Sequence, residues 1–281
     1  MTSQPQVSIL VNCFNGERYL RQALDSIVNQ SFENWEIILW DNRSTDGSAS
    51  IVDEYKDPRI RYFLAPTHTH LGEARMQAQP LLTGEWLAIL DVDDLWYPDK
   101  LKKQLDAAHR NKPVGFVYSQ VKVRAETADQ RLIEDHVFSK MAGASLPSGN
   151  IYQALLRGNY IAVPSLLINR NVFMEIGGFS GRYPVMEDYY ITLNIARKHE
   201  VAVVNEVLCE YRVHDENRSS QSRDENLEDL QILRELYPDA AAMMATPRII
   251  YRHIAKRLGN GKKPQFGRIF NVIRKGHEVL S

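Results

Sequence analysis

Short apolar runs alternate with helical patterns through the first 110 residues, and this alternation is the strongest constraint on the fold. Four runs have the length of buried strands: residues 7–11, 35–40, 60–64 and 86–90. Helical patterns follow the runs in turn, at residues 17–30, 51–55, 72–82 and 98–110. Because the runs are continuously apolar, both faces of each strand are expected to be covered. The pattern predicts an α/β fold in which helices flank a mainly parallel central sheet.

The second half of the chain has a weaker pattern. It predicts strands at 114–123, 163–168 and 207–213 and a helix at 187–198, with 125–149 largely loop. Only helical patterns remain beyond residue 219. We therefore divide the chain into an α/β domain, residues 1–220 with halves 1–124 and 125–220, and a helical, basic C-terminal extension, residues 221–281.

Length and composition favour a globular protein in a reducing compartment. A chain of 281 residues can form one large α/β domain with a sizeable core. No apolar stretch approaches the roughly 20 residues that span a bilayer, and the N-terminus lacks a signal-peptide pattern. Cys13 and Cys209 are the only cysteines and form no metal-type cluster. The expected location is the cytoplasm.

Three polar loops each follow a predicted strand directly: NCFNG, DNRSTDG and DVDD. In open α/β sheets ligands bind at the carboxyl ends of the strands, so these loops should form one site. DVDD places Asp91, Asp93 and Asp94 within four positions, without basic residues nearby in sequence. A hard divalent cation, Mg²⁺ or Mn²⁺, is their natural partner, because it binds carboxylates together with substrate phosphates.

The acidic loop does not match other well-known ligand-binding loops. A calcium-binding EF-hand loop requires glycine at its sixth position and glutamate at its twelfth, where this chain has Trp96 and Lys102. The dehydrogenase glycine fingerprint and the Walker phosphate loop are both absent. A solvated acidic turn remains an alternative.

The motifs taken together are more specific than any one of them. They run VSILVNCFNGERYLRQALDSIVNQSFENWEIILWDNRSTDGS, then GEAR, LDVDD, GGF, MEDYY and YRVHDENRS. In order and spacing this set resembles the family 2 glycosyltransferases. The resemblance implies a GT-A fold and transfer of a sugar, with inversion, from a nucleotide donor to a glycan or glycolipid hydroxyl. It also implies a role in surface polysaccharide or glycoconjugate biosynthesis.

By this resemblance, six residues contact the donor nucleotide: Asn12, Asn15, Asp41, Arg75, Asp91 and Asp93. Asp41 would accept a hydrogen bond from the imino N–H of uracil or thymine, which favours a UDP- or dTDP-sugar. The alternative for Asp41 is a turn aspartate that bonds its own backbone. For Arg75 the alternative is a solvated charge on a helix surface. Asp46 is interpreted as a helix N-cap.

The resemblance also implies a metal site. Asp93, Asp94 and His214 would hold Mn²⁺ or Mg²⁺ on the diphosphate, and a neutral imidazole can complete such a shell. A bound cation neutralises the charge that develops on the departing nucleoside diphosphate. Arg218 and Ser219 would close over the diphosphate.

An inverting transfer needs one base to take the proton of the acceptor hydroxyl. In MEDYY, Asp188 matches the base of the family, with Glu187 as the second candidate. The alternative is that both carboxylates only stabilise the first turn of a helix. Gly177, Gly178 and Phe179 are expected to line the acceptor side, where glycine lets backbone approach a sugar closely.

The C-terminal segment 246–281 carries nine basic residues against one glutamate, although the whole chain has a net charge of −1. Apolar residues recur in this segment at helical spacing with basic residues between them. Such basic amphipathic helices could contact the inner face of a membrane peripherally or pack on the catalytic domain. No nucleic-acid-binding module accompanies the charge, so nucleic acid is not an expected partner.

Two other functions remain as alternatives. A sugar-nucleotide pyrophosphorylase would need a glycine- and arginine-rich phosphate loop after the first strand, and NCFNGERYL is a poor one. A non-catalytic nucleotide-sugar or glycan-binding module would not need a base.

Overall fold

The computed structural model describes residues 4–110, 113–126, 145–214 and Ile232. Within these residues the chain forms an eight-stranded sheet with the strand order β3-β2-β1-β4-β7-β6-β8-β5. Strands β1 to β4 are parallel to one another, whereas β7 runs antiparallel to both of its neighbours, β4 and β6. The described sheet is therefore mixed: one parallel half is extended by a half with both strand directions.

The parallel half contains these elements in chain order: β1 (Val7–Cys13), α1 (Leu20–Val28), β2 (Trp35–Asp41), α2 (Ser48–Glu54), β3 (Ile60–Leu64), α3 (Leu71–Ala78), a 3₁₀ turn (Gln79–Leu81) and β4 (Trp86–Ile89). The strand order reverses between β1 and β4, because β2 and β3 lie on one side of β1 and β4 on the other. The loops after β1 and β4 therefore lie on either side of this switch point, where open sheets bind ligands.

The second half contains β5 (Leu95–Trp96), α4 (Lys100–Arg110), β6 (Phe116–Ala125), α5 (Tyr152–Leu155), a 3₁₀ turn (Val163–Ser165), β7 (Leu167–Asn169), α6 (Arg170–Glu175), α7 (Glu187–Lys198) and β8 (Ala202–Val213). The long pair β6–β8 is parallel, with register shifts on either side of Gln120. At the edge, β5 pairs antiparallel with β8, so that Leu95 lies opposite Glu210.

Two hydrophobic cores cover the two faces of the sheet. In β1, Val7, Ile9 and Val11 pack with residues of α1 and α4 on one face. Leu10 points to the other face and packs with residues of α3 and α7. Every residue of β1 and β2 is buried. This burial explains why both faces of these strands are mostly apolar, with a few buried polar residues among them. The expected coverage of both faces is wrong for β3, which lies at the edge of the described sheet and has no fully buried residue.

Most of the predicted elements are confirmed, and β3 and α7 have the predicted bounds. Pro80 ends α3 early, as expected of a residue without an N–H, and a 3₁₀ turn follows. The predicted strand at 163–168 is wrong in its first half, where Pro164 lies in a 3₁₀ turn. Strand β7 begins only at Leu167.

Three short elements, β5, α5 and α6, were not predicted, because two to six residues are too few to show a period. The predicted loop lies largely in 127–144 and the predicted helical extension in 221–281. Both lie outside the described residues, apart from Ile232. Among the helices of the described chain, none has the length and apolar character needed to cross a membrane.

Candidate functional site

Asp41 ends β2 and is buried, with 1% of its surface exposed. Its Oδ1 accepts a hydrogen bond from the backbone N–H of Ser44 at 2.7 Å. Its Oδ2 accepts one from the Tyr62 hydroxyl, also at 2.7 Å. The bond from Ser44 is the one expected of a turn aspartate. The bond from Tyr62 is not, because Tyr62 lies on the neighbouring strand β3.

Hydrogen bonds hold the loops after β1 and β2 to each other. The Asn15 N–H donates to Ser44 Oγ at 2.9 Å, and Asn15 Oδ1 accepts from the Thr45 N–H at 2.8 Å. Asp46 accepts from the Glu17 N–H and from the Ser48 N–H at the start of α2. The prediction that Asp46 is the N-cap is wrong by one residue, because Gly47 holds the N-cap position and no side chain caps the helix there. Asn15 thus lies at the predicted site, with its side chain engaged in fixing the loop.

Asn12 lies in β1, one residue before the strand ends. Its side chain is buried, and neither Nδ2 nor Oδ1 has a hydrogen-bond partner among the described residues. A buried amide without partners is destabilising by about 1–3 kcal/mol. A bound polar group or water near the end of β1 would relieve that penalty.

The Arg75 guanidinium of α3 interacts with two carboxylates, one by direct contact and one through its charge. It is 1% exposed, and its Nη2 donates to Asp91 Oδ1 at 2.8 Å. Its positive charge also lowers the pKa of Asp188 at the start of α7. Arg75 is therefore buried, and the alternative interpretation of a solvated charge on a helix surface is wrong. The acidic partners compensate for the burial of its charge.

Asp188 has the environment of a general base. Its Oδ2 accepts a hydrogen bond from Asn159 Nδ2 at 3.1 Å. Burial raises the pKa of Asp188 to about 6, against the lowering effect of Arg75 and Asn159. A carboxylate with a pKa near 6 is ionised at neutral pH and is a stronger proton acceptor than an ordinary aspartate.

Glu187 is placed differently from its neighbour. It is buried, with 1% of its surface exposed, and Oε1 accepts from the backbone N–H groups of Ser180 and Gly181. Oε2 accepts from the Ser180 hydroxyl at 3.2 Å. Burial is the main cause that raises the pKa of Glu187. Its carboxylate thus holds the loop before α7, which positions the helix start that carries Asp188.

The GGF motif has a packing role in this fold. Gly177 and Gly178 have φ angles of 91° and 72°, in the region that favours glycine. A Cβ at Gly178 would lie 2.2 Å from Gln79 Oε1, which accepts a hydrogen bond from the Phe179 N–H. The Phe179 ring is buried against Phe173, with ring centroids 4.9 Å apart. Phe179 therefore anchors this turn to the core, and contact of the GGF motif with an acceptor stays a prediction.

Asp93 and His214 converge although 121 residues separate them. His214 Nε2 lies 3.1 Å from Asp93 Oδ2. His214 is 6% exposed, and its ring packs on Tyr19 with centroids 5.1 Å apart. The described residues contain no group of three or more His, Cys, Asp or Glu side chains that could hold a metal ion. The carboxylate of Asp93 fits Mn²⁺ or Mg²⁺ when substrate phosphates supply most of the remaining ligands. The imidazole of His214 is a softer ligand, which suits Mn²⁺ better than Mg²⁺.

Asp94 ties the acidic loop to β8. It is buried, and its Oδ1 accepts a hydrogen bond from the Arg212 N–H at 2.9 Å. Burial, with repulsion from Asp93 and Asp91, holds the pKa of Asp94 well above its usual range. Within the loop, the Asp94 N–H donates to the Asp91 carbonyl at 3.0 Å, which closes a tight turn.

Sequence reasoning missed Tyr19, Tyr62, Asn159 and Arg212. Arg212 is 2% exposed; it donates to Glu126 Oε1 at 2.8 Å and lies 4.3 Å from the centre of the Tyr19 ring. A charged residue inside the apolar pattern of β8 is a signal that could have identified Arg212. Tyr62 and Asn159 lie in no motif, and only the tertiary structure brings them to Asp41 and Asp188. The predicted diphosphate residues Arg218 and Ser219 lie outside the described residues.

Comparison with known sequences identifies related proteins. The family model described as Glycosyl transferase family 2 matches residues 8–182. An uncharacterized glycosyltransferase of Haemophilus influenzae is 38% identical over 206 residues, which cover 72% of this chain and 76% of that protein. The Escherichia coli UDP-Glc:alpha-D-GlcNAc-diphosphoundecaprenol beta-1,3-glucosyltransferase WfgD is 25% identical over 216 residues, which cover 76% of this chain and 79% of WfgD.

Comparison with solved structures identifies the fold. TarS of S. aureus, crystallised with UDP-GlcNAc, superposes with a TM-score of 0.66 at 15% identity and covers 89% of this chain and 72% of that chain. The mannosyltransferase PcManGT of Pyrobaculum calidifontis, in complex with GDP-Man and Mn²⁺, gives a TM-score of 0.62 at 18% identity and covers 99% and 81%. The predicted GT-A fold is thereby confirmed.

Proposed function

This chain belongs to glycosyl transferase family 2, and we propose that it transfers the sugar of a UDP- or dTDP-sugar with inversion of configuration. The proposed acceptor is a hydroxyl of a glycan, free or lipid-linked, in the biosynthesis of a surface polysaccharide or glycoconjugate. The similarity to WfgD, whose name states a UDP-glucose donor and a diphosphoundecaprenol-linked acceptor, supports this choice.

The observation that supports the reaction best is the pairing of Asp188 with the Arg75–Asp91 ion pair. Asp188 has a raised pKa, and Arg75 joins it electrostatically to the acidic loop after β4. A base and a positive charge that face one site suit an attack by a hydroxyl on an anomeric carbon next to a diphosphate. A module that only binds a nucleotide-sugar has no use for the base.

In the proposed reaction the acceptor oxygen forms a bond to the anomeric carbon from the face opposite the diphosphate. The bond between the anomeric carbon and the phosphate oxygen breaks, and its electron pair leaves with the nucleoside diphosphate. Asp188 takes the hydroxyl proton, and the hydrogen bond from Asn159 to Oδ2 orients its carboxylate. Glu187 fixes the loop at Ser180 and is therefore a positioning residue rather than the base.

We propose that Asp93 and His214 hold the metal ion, since their Oδ2 and Nε2 atoms converge. When bound, Mn²⁺ or Mg²⁺ would supply positive charge to the diphosphate. Asp94, bonded to the Arg212 N–H, is proposed as the anchor of the loop rather than a ligand. Arg218 and Ser219 stay proposals as diphosphate contacts, and Gly177 and Gly178 as acceptor contacts.

A donor panel tests the proposal. Thermal melting is measured with UDP-, dTDP- and GDP-sugars, each with and without Mn²⁺, because a ligand that binds only the folded state raises the melting temperature. The expected result is a shift with a UDP- or dTDP-sugar that is larger when Mn²⁺ is present. Formation of the free nucleoside diphosphate in the presence of a lipid-linked glycan then tests transfer. A chain that binds the donor but never releases nucleoside diphosphate with any such acceptor would be a binding module instead.

The basic segment 246–281 is proposed to attach the enzyme peripherally to the inner face of a membrane. Its excess of lysine and arginine would be attracted to anionic lipid by about 1 kcal/mol per residue near the surface. Flotation on anionic and neutral vesicles, with and without residues 246–281, tests this. Equal flotation of both chains on anionic vesicles would rule out the attachment.

A further inference from the structure

We infer that Tyr62 positions Asp41 for the nucleobase of the donor and thereby sets which base is accepted. This inference rests on the proposed function, in which Asp41 contacts the base. The Tyr62 hydroxyl donates to Asp41 Oδ2 at 2.7 Å from the edge strand β3. In the register of the sheet, Tyr62 of β3 lies opposite Leu39 of β2. Leu39 precedes Asp41 by two residues, so the side chains of Leu39 and Asp41 are on the same face of β2. A tyrosine side chain is long enough to reach that carboxylate.

The backbone around Asp41 is already fixed without Tyr62. The Asn42 N–H donates to the Cys13 carbonyl at 2.7 Å, and the Asp41 carbonyl accepts from the Ala65 N–H at 2.8 Å. The freedom that remains is rotation of the Asp41 side chain. The Ser44 N–H holds Oδ1, and the Tyr62 hydroxyl holds Oδ2. The two bonds together fix the plane of the carboxylate.

A carboxylate has about four acceptor positions, and these two bonds use two of them. The remaining positions can only accept, so they match an N–H group on the edge of the base. Uracil presents such an N–H at N3, whereas cytosine presents an acceptor at N3 and can donate only from its amino group. Burial and the bond to Asp41 raise the pKa of the Tyr62 hydroxyl, which therefore remains a donor at neutral pH. A fixed Asp41 should favour uracil over cytosine.

The chain offers a matched control in Tyr55. Its hydroxyl donates to Asp25 Oδ1 at 2.6 Å, and this bond joins the end of α2 to α1. Burial and the bond to the aspartate raise the pKa of Tyr55, as they do for Tyr62. Neither Tyr55 nor Asp25 is a predicted site residue. Tyr55→Phe therefore deletes the same kind of bond without touching the donor site.

The experiment measures binding of UDP and CDP, each with Mn²⁺, to the full-length wild type, Tyr62→Phe and Tyr55→Phe by calorimetry. In Tyr62→Phe the Kd for UDP is expected to rise about 5- to 20-fold. This is less than the roughly 10- to 150-fold that follows from the loss of a direct bond to a charged group, because the bond between Asp41 and the base itself remains. The ratio of UDP to CDP affinity should fall, because a carboxylate that can rotate can also accept from the cytosine amino group. At saturating donor, kcat should stay within about twofold of wild type, since Tyr62 does not touch the reacting atoms. Tyr55→Phe should match wild type in the Kd for UDP, in the ratio of UDP to CDP affinity and in kcat.

The outcomes separate this inference from the function beneath it. If the wild type binds neither nucleotide, and does not bind dTDP in the same assay, the proposed function fails. If the wild type binds UDP and Tyr62→Phe keeps the same affinity and the same UDP to CDP ratio as Tyr55→Phe, only the role of Tyr62 is refuted. Tighter UDP binding by Tyr62→Phe would also refute it, because the hydroxyl would then compete with the base. Partial unfolding of a variant leaves the ratio unaffected, since both nucleotides are measured on the same protein.

Discussion

Replacing Asp188 by asparagine should abolish transfer and stabilise the folded protein. Asparagine keeps the size of the side chain and an oxygen that can accept from Asn159, but it cannot take a proton. Loss of a general base slows a reaction by about 10²- to 10⁴-fold. Whereas activity is lost, the free energy of unfolding should increase in Asp188→Asn. The size of this increase follows from the pKa of the Asp188 carboxyl group.

Burial raises the pKa of Asp188 from 3.8 to about 6. At pH 7 the group is ionised in both states, so the shift destabilises the folded wild type by about 3 kcal/mol at most. Because the folded pKa exceeds the unfolded one, the wild type gains stability relative to the variant as the pH falls from 6 towards 4. The advantage of Asp188→Asn should therefore be largest at pH 7 and vanish below pH 4.

Urea unfolding of both proteins at several pH values, together with transfer assays, measures both effects. The wild-type kcat/KM should fall about tenfold for each pH unit below 6, as expected for a base that must be ionised. Transfer by Asp188→Asn at the wild-type rate would refute the assignment of the base. A variant that is no more stable than wild type at pH 7 would refute the argument that burial strains this carboxylate.

Three further predictions concern other parts of the site and core. Arg75→Met should weaken donor binding and move the acidic limb of the pH–rate profile upward, because Arg75 lowers the pKa of Asp188; an unchanged limb in the rate profile would contradict this. His214→Ala should weaken Mn²⁺-dependent binding of UDP in calorimetry while leaving metal-free binding near wild type, since His214 converges with Asp93; equal losses with and without Mn²⁺ would argue against a metal role. Phe179→Ala should destabilise the fold by about 3–5 kcal/mol in urea unfolding, because the ring is buried in the core; a loss below about 1 kcal/mol would show that the ring is not a core residue.

The parallel half of the fold could be predicted from the sequence because its signals are local. Strand β2 is a mostly apolar run. Helix α1 places Leu20, Ala23, Leu24 and Ile27 on one buried face at helical spacing. The position of polar loops directly after such strands then predicts a shared edge. That reasoning predicted that the loop beginning at Asp41 and the acidic loop after β4 open onto the same edge.

Contacts between distant residues could not be predicted in this way. Strand β5 has two residues and no period, yet its antiparallel pairing with β8 brings the end of β8 to the acidic loop. That pairing explains how His214 reaches Asp93 and how Asp94 bonds the Arg212 N–H. Motif resemblance predicted that Asp93 and His214 act together, but it gave no physical reason for their approach.

The fold class, the family and the sheet edge at which the polar loops meet could be predicted from local patterns, because burial patterns and motifs depend on neighbouring residues along the chain. The different surroundings of the two adjacent carboxylates became visible in the folded protein: Glu187 is bonded to the loop at Ser180, whereas Asp188 accepts from Asn159 and its pKa is lowered by the charge of Arg75. The hydrogen bond from Tyr62 to Asp41 became visible in the same way. Such contacts escape sequence patterns because burial, charge and hydrogen-bond partners are supplied by strands and helices far away in sequence.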